Sequence, residues 1–164
     1  MRGTRYSVNN YWVFYDFDGT ICGESNWKGF WHNTIQLFKT GLLLQPFGCW
    51  SILTGRPKMD RLIIKAVCKK YRLYPKMIIT APTWTYQFKN LDEVATWKTC
   101  VLSKFGLDNG IIQRKVIYID DDLEMRRRIL PLNDLMVCSP KILDSINFGG
   151  NANAGSNGTA NGDV

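Results

Sequence analysis

The chain has few of the residues that zinc and disulfide sites need. It contains a single histidine and five cysteines, and no two cysteines are close neighbours in the sequence. A zinc site is therefore not expected, because structural zinc sites use clusters of Cys and His at short spacings. An odd number of scattered cysteines instead predicts reduced thiols in the cytoplasm or a similar compartment.

Long hydrophobic runs are also absent. No apolar stretch reaches the ~20 residues needed to span a bilayer, and the first five residues lead into no apolar segment of the signal-peptide type. No Gly-rich loop ending in Gly-Lys-Ser/Thr occurs, which excludes a P-loop nucleotide site. We therefore expect a cytoplasmic protein with no membrane partner.

Acidic residues are outnumbered by basic ones. The 164 residues include 21 Lys and Arg against 14 Asp and Glu, which gives a net charge of +7. A basic surface suits a polyanionic partner such as nucleic acid, although ordinary solubility charge explains it equally well. Residues 147–164 are mainly Gly, Asn, Ala and Ser and have too little apolar surface to fold. We predict one folded domain at residues 1–146 and a disordered tail at 147–164.

Short apolar runs alternate with segments of helical periodicity along the chain. The predicted strands are residues 11–15, 49–53, 77–80, 115–119 and 135–138. The predicted helices are residues 27–38, 59–71, 91–105 and 123–130, with Asn90 capping the third and Gly106 ending it. The second helix is predicted to bury Met59, Leu62, Ile63, Ala66 and Val67. This alternation predicts an α/β fold with a parallel sheet.

Two aspartates follow the first predicted strand directly. Asp16 and Asp18 are one residue apart, and Gly19 indicates that the strand ends there. Both carboxylates are then at the carboxyl end of a strand, where open α/β sheets bind their ligands. Two anions this close need a cation or a shared proton. The alternative is a pair of surface aspartates in a turn.

The run Asp-Phe-Asp-Gly-Thr at positions 16–20 resembles the first motif of the haloacid dehalogenase (HAD) superfamily. Most members of that superfamily are magnesium-dependent phosphatases with a Rossmann-like fold. The resemblance implies that Asp16 is a nucleophile that forms an aspartyl-phosphate. It also implies that Asp18 is the general acid that protonates the leaving oxygen and later activates water.

Two further segments resemble the second and third motifs. The apolar strand that ends in Thr54, Gly55 and Arg56 would supply a phosphate-binding hydroxyl, a close backbone approach and a planar phosphate-binding fork. Lys98, on the predicted third helix, would supply the fixed cation beside the nucleophile and the phosphoryl group. Lys89 and Lys104 are the other candidates for this cation. The alternative interpretation of Lys98 is an ordinary lysine on the solvated face of its helix.

The strand ending in Asp120 and Asp121 resembles the fourth motif, which holds magnesium. Mg²⁺ prefers oxygen ligands in octahedral geometry. The resemblance implies ligation by the carboxylate of Asp16, the carbonyl of Asp18 and one carboxylate of the later pair. We predict Asp121 as the direct ligand and Asp120 as its support. Asp122 extends the acidic run to three residues, so the position of the direct ligand within the run stays open.

Substrate choice in this superfamily depends on the cap over the site. The segment between the first two motifs holds one predicted helix, so we expect a minimal cap and an open site. Residues 118–127 resemble the phosphatase half of phage polynucleotide kinase-phosphatases and related RNA-repair domains, with Asp122 in place of the usual arginine. On this basic helix, Arg126 is the candidate contact to the phosphate backbone of a nucleic acid. The alternative, equally consistent with the sequence, is that Arg126 lies on a solvated face of the helix.

The resemblance thus implies removal of a terminal phosphate, in particular a 3′-phosphate, from a nucleic-acid end. Three alternatives remain open: a nucleotidase acting on mononucleotides, a phosphoprotein phosphatase, and a module that binds nucleotides or nucleic-acid ends without turnover. Aromatic residues after the third predicted strand, Trp84, Tyr86 and Phe88, are candidates for stacking on bases, with packing in the core or within the loop as the alternative.

Overall fold

A computed structural model describes residues 12–23, 41–46, 49–84, 88–108, 116–130 and 135–143. The five strands are Trp12–Tyr15 (β1), Trp50–Thr54 (β2), Ile78–Thr80 (β3), Val116–Ile119 (β4) and Met136–Cys138 (β5). The helices are Arg61–Lys70 (α1), Leu91–Asp108 (α2), Leu123–Ile129 (α3) and Pro140–Leu143 (α4), with a 3-10 turn at Lys58–Asp60 before α1. The predicted helix at 27–38, most of the predicted cap and the predicted tail lie outside the described residues.

The strands form one parallel sheet in the order β3-β2-β1-β4-β5. The predicted α/β, Rossmann-like architecture is therefore confirmed. The order reverses at β1, which pairs with β2 on one side and β4 on the other. Because all strands run the same way, the residues after β1, β2 and β4 meet at one edge of the sheet, at the crevice where such folds bind ligands.

The core has two layers because alternate strand residues point to opposite faces. Val13, Tyr15 and Ile52 pack with α1 on one face. Phe14 and Tyr118 pack with α2 and α3 on the other. Helices thus cover both faces, which explains why the strands are continuous apolar runs instead of alternating ones.

The predicted buried stripe of α1 is confirmed at Val67 and partly at Ile63, but it is wrong at its other three positions. Leu62 is 74% exposed and Met59 is 41% exposed, whereas the buried residues of α1 are Ile64, Val67 and Cys68. The physical reason is Asp60, which is fully buried at the end of the 3-10 turn and ion-paired to Arg56. Because Asp60 points inward, the residues four and seven positions later, Ile64 and Val67, also face the core.

The end of α2 also differs from the prediction. The helix continues through Gly106, which is buried, to at least Asp108. Gly106 therefore occupies a packed interior position of the helix and does not end it. The predicted N-cap is confirmed, since the Asn90 side chain accepts from Glu93 N at 2.9 Å and the Glu93 carboxylate accepts from Lys89 N. No helix of the described residues is long and apolar enough to cross a membrane.

Candidate active site

A cavity of about 530 Å³ opens at the carboxyl edge of the sheet. All of the predicted site residues except Arg126 line it. The residues after β1 and β4 supply its acids, the end of β2 and the turn that follows supply Thr54 and Arg56, and α2 supplies Lys98. The parallel sheet therefore brings four sequence motifs, spread over about a hundred residues, into one site.

Lys98 is held at the centre of this site. Its Nζ lies 2.7 Å from Asp16 Oδ1 and 3.2 Å from Asp120 Oδ2, and it also donates to the Tyr118 hydroxyl. Burial lowers the pKa of Lys98, but the charges of Asp16 and Asp120 outweigh burial and hold the pKa above its ordinary value. The side chain is therefore a fixed cation. Lys89 also lines the cavity but is exposed, and Lys104 lies outside the lining.

The acids outnumber this cation. Burial raises the pKa of Asp16 to about 8, with Lys98 lowering it and the neighbouring charges of Asp120 and Asp18 raising it further. One lysine therefore does not fully compensate the buried carboxylates. A divalent cation would stabilise the ionised form of Asp16, as expected where several acids share one site.

The three consecutive aspartates after β4 have three different environments. Asp120 is buried and uses both carboxylate oxygens, since Oδ2 accepts from Lys98 and Tyr118 and Oδ1 accepts from Asp122 N at 2.9 Å. Asp122 caps α3, where its side chain accepts from the backbone N–H groups of residues 124 and 125. Asp121 lies between them and is exposed.

Asp121 is oriented by the loop after β1. The Thr20 hydroxyl donates to Asp121 Oδ1 at 2.8 Å and accepts from Asp121 N at 3.0 Å. Gly19 has a φ of +73°, and a Cβ there would lie 2.7 Å from the carboxylate carbon of Asp121. Glycine is needed at this position both for its left-handed backbone and for the close approach of the acid.

The acidic cluster fits a magnesium ion. One carboxylate oxygen from each of Asp16, Asp120 and Asp121 lies within 4.8 Å of the others. Hard oxygen donors of this kind suit Mg²⁺. Lys98 holds one oxygen of Asp16 and Thr20 holds one oxygen of Asp121, so each acid keeps a second oxygen for a metal. Because both oxygens of Asp120 are engaged, the arrangement favours Asp16 and Asp121 as direct ligands and Asp120 as their support.

Comparisons with known proteins give a weak structural similarity. No family profile matches the sequence, and neither does any curated protein. The structure is similar to that of a HAD-superfamily hydrolase, subfamily IA, variant 1, from Geobacter sulfurreducens PCA. The match covers 89% of this chain and 99% of that one, with a TM-score of 0.49 and 13% sequence identity. A likeness this weak decides neither family nor activity.

Arg56 contacts acids of the site in this structure. Its guanidinium grips Asp18 with two hydrogen bonds, Nε to Oδ2 at 2.7 Å and Nη2 to Oδ1 at 2.6 Å, and Nη1 donates to Asp60 at 3.0 Å. Arg56 is 5% exposed and Asp60 is fully buried. The phosphate contact predicted for Arg56 therefore requires the guanidinium to release Asp18. Thr54 Oγ1 accepts from Arg56 N at 3.3 Å, which places that hydroxyl at the base of the same loop.

Arg126 does not reach the cavity. Its Nη1 donates to the backbone carbonyls of Asp120 and Asp121, so it supports the loop that carries two of the candidate metal ligands. The next two arginines of α3 pair with Glu124, and Arg128 also pairs with Asp92. The basic helix thus uses its charges within the molecule, and the predicted substrate contact of Arg126 has no support from this geometry.

Sequence analysis missed three residues that hold the site together. Tyr118 is two residues before Asp120 on β4, and the period of a strand puts both on one face. Asp60 is four residues after Arg56, the spacing of an ion pair within a helical turn. Thr20 was part of the first motif, but only the fold brings it to Asp121.

Proposed function

We propose that the protein is a magnesium-dependent phosphomonoester hydrolase of the HAD type that acts through an aspartyl-phosphate. The observation that carries this proposal is the buried pair of Asp16 and Lys98 at the end of the central strand, with Asp121 close enough to share a metal. A carboxylate nucleophile for a phosphoryl group needs fixed positive charge beside it, because nucleophile and substrate are both anionic. A structural ion pair needs no such acidic neighbour at a cavity wall.

The residues present can carry out both halves of the reaction. Asp16 attacks the phosphorus, the bond to the leaving oxygen breaks, and Asp18 gives that oxygen its proton. Asp18 then takes a proton from the water that attacks the aspartyl-phosphate, which releases phosphate and restores Asp16. Lys98 and the hydroxyl of Thr54 bind the phosphoryl oxygens throughout. Bound magnesium, held by Asp16 and Asp121, would add positive charge next to the phosphoryl group.

Arg56 has a place in this scheme. Its two bonds occupy both carboxylate oxygens of Asp18, whereas the first step needs one of those oxygens to deliver a proton. An incoming phosphate is a competing partner for the same planar fork. Transfer of Arg56 from Asp18 to the phosphate would free Asp18 to act as the acid only when substrate is bound. Asp60 keeps the guanidinium in place during that exchange.

The substrate class that we propose is a nucleic-acid end, with a terminal 3′-phosphate as the reacting group. Support comes from the resemblance of residues 118–127 to polynucleotide phosphatases and from the net charge of +7. A second candidate is a mononucleotide, since a cavity of about 530 Å³ is the size that encloses a small molecule.

The test is phosphate release with Mg²⁺ from four substrates at equal concentration. These are a 3′-phosphorylated oligonucleotide, a 5′-phosphorylated one, a mononucleotide and a phosphopeptide. We expect the highest kcat/KM for the 3′-phosphorylated oligonucleotide. A preference for the mononucleotide or the phosphopeptide would overturn the substrate class and keep the reaction. Absence of release from all four would overturn the reaction.

A further inference from the structure

The outer face of α1 concentrates the positive charge of the protein. From residue 61 to residue 91 the sequence has seven Lys and Arg and no Asp or Glu. Arg61, Lys65 and Lys69 are spaced four apart, so they form one row along the helix, and all three are exposed. Arg72 and Lys76 are exposed just beyond the helix. We call these five residues the basic stripe.

The charges of the basic stripe are not used within the described part of the protein. The ion pairs of the described residues involve Arg56, Lys98, Arg127 and Arg128 but none of the stripe. The contrast with α3 is informative, since its arginines pair with Glu124 and Asp92. An unpaired row of cations costs repulsion, which an anionic partner would relieve.

The basic stripe begins five residues after Arg56, which lines the cavity, and follows α1 from there. The chain leaves β2 at Thr54, passes Arg56 in the cavity wall and enters α1 at Arg61. The helix then returns along the sheet towards the start of β3, so Lys69 lies roughly 12 Å further along the axis than Arg61 at the usual rise per residue. A partner that follows the stripe therefore has one end at the cavity.

Exposed aromatic rings stand near both ends of the basic stripe. Trp84 is 72% exposed and follows Thr83, whose carbonyl accepts from the backbone N–H of Lys58 just before α1. Tyr74 is 79% exposed and lies between Arg72 and Lys76 in the sequence. Large rings that are neither packed nor needed by the fold are suited to stacking on nucleic-acid bases.

We infer that the basic stripe, with Trp84 and Tyr74, is a track for a single nucleic-acid strand. Cations that follow the backbone and rings that stack on bases are the two elements of single-strand binding without sequence preference. Binding along the track does not depend on the proposed function. Only the entry of the strand's phosphorylated end into the cavity rests on that function.

An anionic membrane is the other polyanion that could meet such a face. The geometry disfavours it, because helices that lie on membranes insert their apolar face into the lipid. In α1 that face, Ile64, Val67 and Cys68, is buried in the protein core. The exposed apolar residues of α1 are Leu62 and the small Ala66, which offer little apolar area to a membrane.

The test measures binding of a fluorescent, unphosphorylated oligothymidylate strand by anisotropy, without Mg²⁺ and at several salt concentrations. The stripe variant is Arg61→Gln/Lys65→Gln/Lys69→Gln. The matched control is Lys104→Gln/Arg127→Gln/Lys141→Gln, which removes the same charge from exposed positions outside the stripe. Thermal unfolding verifies that both variants are folded. A third variant, Trp84→Ala, tests stacking.

We expect the stripe variant to lose at least tenfold in affinity and to reduce the slope of log K against log salt by about 2, the value for three phosphate contacts on a single strand. The control should change affinity less than threefold and keep the wild-type slope. Trp84→Ala should lose roughly 5- to 150-fold in affinity, the range for one stacked base, and keep the slope.

Three results would overturn the inference. They are equal losses in the stripe variant and its control, unchanged affinity in the stripe variant, and wild-type binding to phosphatidylserine vesicles but not to the oligonucleotide. Hydrolysis of p-nitrophenyl phosphate by the wild type is measured separately. Strand binding without that hydrolysis would support the track and contradict the proposed function. Hydrolysis without strand binding would support the proposed function and contradict the track.

Discussion

Thr20 and Asp121 are 101 residues apart in the sequence and hold each other by two hydrogen bonds. The threonine hydroxyl donates to the carboxylate and accepts from the backbone N–H of the same aspartate. This reciprocal contact joins the loop after β1 to the loop after β4. It fixes the orientation of the acid that we propose as a magnesium ligand, and outer contacts of this kind govern how well such ligands bind a metal.

Replacement of this hydroxyl should therefore weaken metal binding. We expect Thr20→Val to raise the Mg²⁺ concentration for half-maximal phosphate release by about 10- to 100-fold, the range for lost outer-shell partners. Thr20→Ser keeps the hydroxyl and should stay within threefold of wild type. A magnesium titration of phosphate release measures both. Equal curves for the valine variant and wild type would show that Thr20 does not orient the ligand.

Gly19→Ala should disturb the same acid by a different route. The positive φ alone costs about 1–2 kcal/mol for a residue with a Cβ, and the new methyl group would also displace the Asp121 carboxylate. Gly41→Ala is the matched control, because Gly41 has a φ of +77° with nothing within 4 Å of an added Cβ. Urea unfolding should show a lower free energy of unfolding in both variants. Only Gly19→Ala should also lose the activation of phosphate release by Mg²⁺. Retained activation in Gly19→Ala would contradict the close approach.

The Asp18–Arg56–Asp60 contacts predict a strong preference for arginine. Arg56→Lys keeps the charge but cannot make two bonds to Asp18 and one to Asp60. We expect the free energy of unfolding to fall by roughly 1–3 kcal/mol and kcat to fall with it. Arg128→Lys, at an arginine whose ion pairs lie at the surface, should change stability much less. The idea fails if both lysine variants behave alike in urea unfolding and turnover.

The raised pKa of Asp16 predicts a pH dependence for the metal-free protein. Burial raises this pKa from 3.8 to about 8, so within that window the folded protein binds a proton that the unfolded chain has released. The contribution of Asp16 to stability is therefore present below pH 3.8 and is lost as the pH rises towards about 8. Asp16→Asn removes this dependence.

Urea unfolding in EDTA at about pH 5 and about pH 8 measures it. As the pH rises from about 5 to about 8, the free energy of unfolding of Asp16→Asn should increase relative to that of wild type. In wild type, Mg²⁺ should bind more tightly at the higher pH, because the metal competes with the proton for the carboxylate. A constant difference between the two proteins across this range would show that Asp16 is already ionised in the fold.

The sequence predicted the sheet and most of the cavity wall because these depend on local signals. Apolar runs that stop at Asp16, Thr54 and Asp120 mark strand ends, and parallel strands bring those ends together whatever the connections contain. Lys98 was the harder case, since a lysine within a helix has no local signal for burial. Its three polar partners become visible only when β1, β4 and α2 are packed.

The missed features are those that depend on distant partners. The inward face of α1 followed the buried Asp60, and a polar residue at that position looks like a surface residue in the sequence. The division of labour among Asp120, Asp121 and Asp122 required the positions of Tyr118 and Thr20. Arg126 was predicted to contact the substrate, whereas in the structure it donates to backbone carbonyls of the loop after β4, which a helical arginine near a loop can reach as readily as a cavity.

The most direct test of the proposed reaction compares wild type with Asp16→Asn in Mg²⁺-dependent phosphate release from the 3′-phosphorylated oligonucleotide. We expect release by wild type that EDTA abolishes and added Mg²⁺ restores, and no release by Asp16→Asn although that variant melts cooperatively. Release by Asp16→Asn at a rate near that of wild type would contradict the central claim, because the aspartyl-phosphate would then have no residue on which to form.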